Sequence, residues 1–83
     1  MLWCVYVLRC SDGSLYVGMT QDLQRRLAEH RRGKVAWTRR RLPVEPVHTE
    51  EFPTRNQARQ REKYLKGGSG KEWLKACVAP GPP

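Results

Sequence analysis

Cys4-Val5-Tyr6, Ser11-Asp12-Gly13-Ser14 and Tyr16-Val17-Gly18 are the runs whose reading decides the fold. Trp3 to Leu8 is rich in aromatic and β-branched residues and reads as a strand. Leu15 to Gly18 reads as its partner, and Asp12-Gly13 supplies the backbone angles of the tight reversal between them. The register of this hairpin matters. Tyr6 and Tyr16 share a face only if paired residue numbers sum to an even value, for example Leu8 with Tyr16 and Tyr6 with Gly18. A loop of three or five residues achieves that, whereas a two-residue loop sends the phenols to opposite faces. Strand tyrosines are also ordinary half-buried packing residues. Gly18 either lets another group approach the backbone at a strand end or is a plain turn or bulge glycine.

Beyond the hairpin, Asp22 to His30 carries a helical pattern, with Thr20 as its expected N-cap and Gly33 as its stop after Arg31-Arg32. Residues 34 to 43 form a basic connection closed by Pro43. Val44 to Glu51 is expected to be a third strand, with Val44 and Val47 as core positions. Pro46 makes it an edge strand or one that starts late. Thr54 with Gln57 fits a capping box for a second helix running to Lys66, ended by Gly67-Gly68. Ser69 with Glu72 repeats the signature. A short third helix is therefore expected over residues 70 to 76, with Trp73, Leu74 and Cys77 packing on the core. No repeat or linker divides the chain. We expect one domain over residues 1–79, with Pro80-Gly81-Pro82-Pro83 as a disordered tail.

At 83 residues the chain has room for one core, with one layer of sheet and two or three helices. Sixteen Lys and Arg stand against eight Asp and Glu, a net charge of +8. That balance favours a polyanionic partner, above all nucleic acid, although basic surfaces are also common simply as solvated faces. Cys4, Cys10 and Cys77 are odd in number and show no zinc-type spacing, which suits a reducing compartment. Leu2 to Leu8 is too short an apolar run to cross a bilayer, and no basic region precedes it. The expected location is cytoplasmic, without membrane association.

Helical periodicity then places the polar residues. With Leu23 at zero, Leu27 falls at about +40°, His30 at about −20° and Arg26 at about −60°. Arg26 and His30 therefore border the apolar stripe, where a basic group needs a partner or a cleft. With Ala58 at zero, Glu62 falls at about +40° and Leu65 at about −20°. A carboxylate so placed meets a metal ion or an arginine, or simply pairs with Lys66 and Arg59 along its own helix.

Taken in order, Cys4-Val5-Tyr6, Tyr16-Val17-Gly18, Arg26, His30 and Glu62 resemble the GIY-YIG nuclease family. Thr38-Arg39-Arg40-Arg41-Leu42-Pro43-Val44-Glu45 and Arg61-Glu62-Lys63-Tyr64-Leu65-Lys66 resemble its small single-domain branch, so the likeness covers residues 3 to 77. Cys4 stands where the family's first tripeptide has glycine. Many members carry an asparagine after the metal-binding glutamate, whereas Asn56 precedes Glu62. The resemblance implies an α/β (α+β) domain with a small, mainly antiparallel three-stranded sheet flanked by helices. It also implies metal-dependent hydrolysis of a phosphodiester in DNA, in a family with repair and recombination members. Tyr6 would be the general base, Tyr16 would help position water or phosphate, and Arg26 would stabilise phosphoryl charge. His30 matches a position where some members carry a functional histidine, and Glu62 would hold one Mg2+ or Mn2+ ion. A phenol is a poor base at neutral pH unless positive charge lowers its pKa, which Arg26 and the ion would do.

Three functions fit these residues. The first is a metal-dependent endonuclease for branched or damaged DNA. The second is a nucleic-acid-binding module without catalysis, using the acid-free basic run Arg31, Arg32, Lys34, Arg39, Arg40 and Arg41, with Trp37 to stack on a base. The third is a nuclease subunit that a protein partner targets.

Overall fold

The computed structural model describes residues 1–78. The expected boundary at residue 79 and the tail at 80–83 lie outside them. The element order is β1 (Trp3–Cys10), β2 (Leu15–Thr20), α1 (Leu23–Arg31), β3 (Val44–Phe52), α2 (Arg55–Lys66) and α3 (Gly68–Cys77). The strands form one antiparallel sheet in the order β2-β1-β3.

The hairpin register is the even one. Tyr6 pairs with Gly18 and Leu8 with Tyr16. Cys10 and Ser14 close the loop: Cys10 N–H donates to Ser14 C=O at 2.9 Å, and Gly13 N–H donates to Cys10 C=O at 2.9 Å. Gly13 takes φ +85°, the left-handed position that ends a three-residue loop. Asp12 Oδ1 accepts from Ser14 N–H at 3.0 Å and fixes the turn from within.

Strand alternation divides the core in two. Tyr6, Leu8 and Cys10 face α1, with Val44, Leu23 and Leu27. Val5, Val7 and Val17 face the other way, onto Ala58, Leu65 and Leu74 of α2 and α3. The sheet thus lies between one helix and a helix pair. β3 is an edge strand, as Pro46 requires. Its register slips between Val7 and Leu8, leaving Val47 as the extra residue of a bulge. Val44 and Val47, three apart along the strand, join opposite clusters.

Local signals set the helix ends, with two corrections. Asp22, not Thr20, caps α1: its carboxylate accepts from Arg25 N–H at 3.1 Å. Thr20 is still in β2, and its hydroxyl accepts from Asp22 N–H at 3.0 Å. Gly33, at φ +77°, ends α1, with its N–H on His30 C=O and that of Lys34 on Glu29 C=O. Thr54 caps α2 through Gln57 N–H at 3.2 Å. Ser69 does not cap α3. Gly67 serves both as the C-cap of α2 and as the N-cap of α3, so the third helix starts earlier than its Ser69 signature suggested. Leu74 is buried as expected, but Trp73 and Cys77 are exposed, because α3 turns only one face to the core.

Candidate active site

β1 supplies Tyr6, and its ring lies over Gly18. A Cβ built on Gly18 would stand 2.5 Å from Tyr6 Oη and 3.0 Å from a Tyr16 ring carbon. The glycine is therefore a space requirement, since any side chain there would displace the phenol. Tyr6 and Tyr16 lie on the same face with ring centroids 6.2 Å apart. His30 rises from α1 between them, 5.7 Å from the Tyr6 centroid and 4.9 Å from that of Tyr16.

Tyr6, His30 and Thr38 are fully or almost fully buried and linked. Tyr6 Oη lies 2.9 Å from His30 Nε2, and His30 Nδ1 lies 2.7 Å from Thr38 Oγ1. Thr38 Oγ1–H donates onward to Val35 C=O at 3.4 Å. This last link sets the direction of the chain. With its proton on Val35, Thr38 accepts from Nδ1–H, leaving Nε2 as the acceptor for the tyrosine O–H. Burial lowers the His30 pKa, as does the nearby Arg26 charge, and holds the ring neutral. Burial also pushes Tyr6 up to about 12, against the opposing pull of Arg26 beside it. Glu62 adds to the upward push, so its charge is felt at Tyr6 from the opposite layer of the fold.

Arg26 has the partner that its place beside the apolar stripe requires. Its Nη1 donates to Glu29 Oε1 at 3.0 Å, an i,i+3 pair on α1. That bond raises the Arg26 pKa further and lowers that of Glu29. The Tyr6 hydroxyl also meets the guanidinium and adds to that rise, and the other donors of the fork are left for a further partner. A cleft of about 360 Å³ opens beside it, lined by Trp3, Met19, Arg26 and Glu29 among others.

Glu62 carries both pairs that helix spacing allowed, with Arg59 at 4.0 Å and Lys66 at 3.4 Å. Its side chain is only 13% exposed. Among the described residues no group of three or more His, Cys, Asp or Glu could hold a metal ion. The donor set is therefore one carboxylate. It fits a hard ion that keeps several waters and takes further oxygens from a phosphate, as Mg2+ does.

The basic connection behaves in two ways. Arg31, Arg32, Lys34, Arg39 and Arg40 are exposed and form no ion pair among the described residues. Arg41 is engaged instead: it stacks over Trp37 at 4.0 Å, pairs with Asp12 at 3.4 Å and accepts Ser11 N–H on its carbonyl. It ties the connection to the hairpin turn and holds Trp37 beside Tyr16, with centroids 5.5 Å apart. Thr38 is the member of the cluster that sequence reasoning missed. It lies in an aperiodic segment, and only its place in the run shared with the small family branch set it apart.

Fold and site together define a small α+β domain of nuclease type. The chain belongs to the GIY-YIG family: the description "GIY-YIG catalytic domain" matches residues 2–75. It is similar to a UPF0213 protein of Natronomonas pharaonis, 52% identical over 63 residues, spanning 75% of this chain and 74% of the relative. A UPF0213 protein of Nitratidesulfovibrio vulgaris is 42% identical over 79 residues, 94% of this chain and 71% of its own. The solution NMR structure of a UPF0213 protein from Bacillus halodurans matches 99% of this chain and 89% of its own, with 39% identity and a TM-score of 0.59. One from E. faecalis matches 92% and 85%, with 40% identity and a TM-score of 0.62. A nuclease-type domain implies a nucleic-acid substrate. No helix among the described residues is long and apolar enough to cross a membrane.

Proposed function

We propose that the protein is a divalent-metal-dependent endonuclease that hydrolyses phosphodiester bonds in DNA, with branched or damaged DNA as its substrate. The observation that carries this reading is the buried hydrogen bond from Tyr6 to His30, continued to Thr38, on the sheet face that also bears Tyr16. With a pKa near 12, the phenol does not ionise by itself at neutral pH. It can still act as a base if its own proton leaves as it takes one from water. His30 Nε2 is the acceptor in place for that proton, and Nδ1–H stays on Thr38 throughout. Tyr16 orders the attacking water or the phosphate, and Arg26 offers its uncommitted donors to the phosphoryl oxygens as charge builds there. Glu62 would hold the ion, opening its weak pairs with Arg59 and Lys66. Bound there, the ion would polarise the phosphate and stabilise the leaving oxygen.

The test is cleavage of labelled single-stranded, duplex, flap and four-way-junction DNA with Mg2+, with Mn2+ and with chelator. Wild type is expected to cut one of these only when metal is present. Tyr6→Phe and His30→Ala are expected to lose roughly 10²–10⁴-fold in rate, the range of a positioned base. Glu62→Ala is expected to behave as wild type does in chelator. Metal-dependent cutting that survives both Tyr6→Phe and Glu62→Ala would sink the reading. Salt-sensitive binding without cutting of any substrate would instead favour a non-catalytic module, a reading that the closed ion pairs of Glu62 support.

A further inference from the structure

A second groove adjoins Tyr16. β2 is an edge strand, and an open groove of about 780 Å³ wraps around its free side. One wall is Tyr16 and Trp37, on the α1 side of the sheet. The floor is apolar, from the half-buried Leu15 and Val78 over the buried core residues Val17, Leu65 and Leu74. Arg9, Lys66, Lys71 and Lys75 border it, and no lining residue is acidic. Arg9, Lys66 and Lys75 pair with Glu45, Glu62 and Glu72 outside the lining, at 3.8, 3.4 and 4.0 Å. Lys71 has no ion pair among the described residues. Exposed pairs of this kind yield readily to a phosphate.

We propose that this groove holds a single unpaired nucleic-acid strand running on from the phosphate at Tyr6 and Arg26. The proposal deepens the nuclease reading and rests on it. Three features select this occupant. Cations without acids suit phosphates. An exposed indole, 40% accessible and already bearing a guanidinium on one face, suits base stacking. The apolar floor suits base faces, which a single strand presents and a duplex keeps stacked inside itself. Tyr16 belongs both to the candidate active site and to this wall, so a strand at the first is already at the mouth of the second.

The experiment is an anisotropy titration in chelator, where nothing is cut. The probes are a labelled single strand of about twelve nucleotides, within the usual site sizes, and a blunt duplex of the same sequence. The proteins are wild type, Lys71→Ala/Lys75→Ala and Trp37→Ala. Lys66 is left intact because it touches Glu62. The double variant is expected to reduce the salt slope for the single strand by about 1.4, at about 0.7 per phosphate, and to leave the duplex slope unchanged. Trp37→Ala is expected to weaken single-strand binding roughly five- to hundredfold. An unchanged single-strand slope in the double variant, or equal losses on the duplex, would overturn the proposal. Failure of the nuclease reading shows elsewhere, as the absence of Glu62-dependent cutting, and leaves this titration readable.

Discussion

Tyr6 combines two demands that pull against each other. Burial against His30 and Gly18 gives the phenol a fixed position, but it also opposes ionisation. The consequence can be read in stability. In the unfolded chain a tyrosine titrates near 10, whereas in the folded protein Tyr6 does so at about 12. The fold therefore prefers the neutral form. Its contribution is fully present below pH 10 and is lost as pH rises through 12, to the extent of roughly 3 kcal/mol. Denaturant midpoints measured from pH 8 to pH 11 should fall more steeply for wild type than for Tyr6→Phe, and equal slopes would contradict the assigned burial. His30 has the opposite sign. Its lowered folded pKa gives stability that is present above the ordinary histidine value and is lost as pH falls below it. Residue chemistry was largely legible in the sequence here: periodicity put His30 and Arg26 beside the core stripe before any contact was known. Thr38 was not legible, because a single hydroxyl in a basic loop carries no period, and its role exists only once the loop folds back over α1.

At the scale of elements, the register of β1 and β2 was the decisive unknown. Asp12-Gly13 announced a turn but not its length, and the length fixes whether two phenols meet. The bulge at Val47 was still less visible, since it depends on how β3 meets β1 rather than on β3 alone. Capping signals fared unevenly for a related reason. Thr54 has no competing duty, whereas Thr20 belongs to a strand and Ser69 already lies inside α3, two residues after the glycine, Gly67, that two helices share. The α2–α3 corner also rests on contact that sequence does not display. A Cβ on Gly70 would overlap the Tyr64 carbonyl oxygen and stand 2.6 Å from Leu65 Cα. Backbone cannot swing aside as a flexible side chain does. Gly70→Ala should therefore destabilise the protein by about 1–3 kcal/mol, despite the better helix propensity of alanine. A thermal midpoint equal to or above that of wild type would show that the helices are not packed this closely. Glu50 joins α2 to β3 independently, accepting from Arg61 Nε and Nη2 at 2.8 and 3.1 Å and lying 2.7 Å from His48. This fork is a separate tie, so losing the corner need not unfold the sheet.

Over the whole molecule, the proposed function assigns binding and cutting to different charges. The net +8 is carried by surfaces on both sides of the sheet: the basic connection after α1 and the lysines of α2 and α3. Hydrolysis would instead depend on one acid, Glu62, which neutralises two of the cations around it. On that reading, its removal should have opposite effects on the two activities. Glu62→Ala takes the net charge from +8 to +9 and releases Arg59 and Lys66. Electrostatic binding scales with the number of phosphates neutralised, so affinity for DNA in chelator should rise, by less than about tenfold at low salt, and the salt slope should steepen by up to about 1. Cutting by the same variant with Mg2+ should be abolished. Titration and cleavage on one preparation check both, and circular dichroism guards against misfolding. Tighter binding with lost cutting is the pattern expected of a carboxylate that holds an ion. Loss of both in a folded variant would mean that Glu62 organises the nucleic-acid surface itself, and the ion would then have to be sought elsewhere.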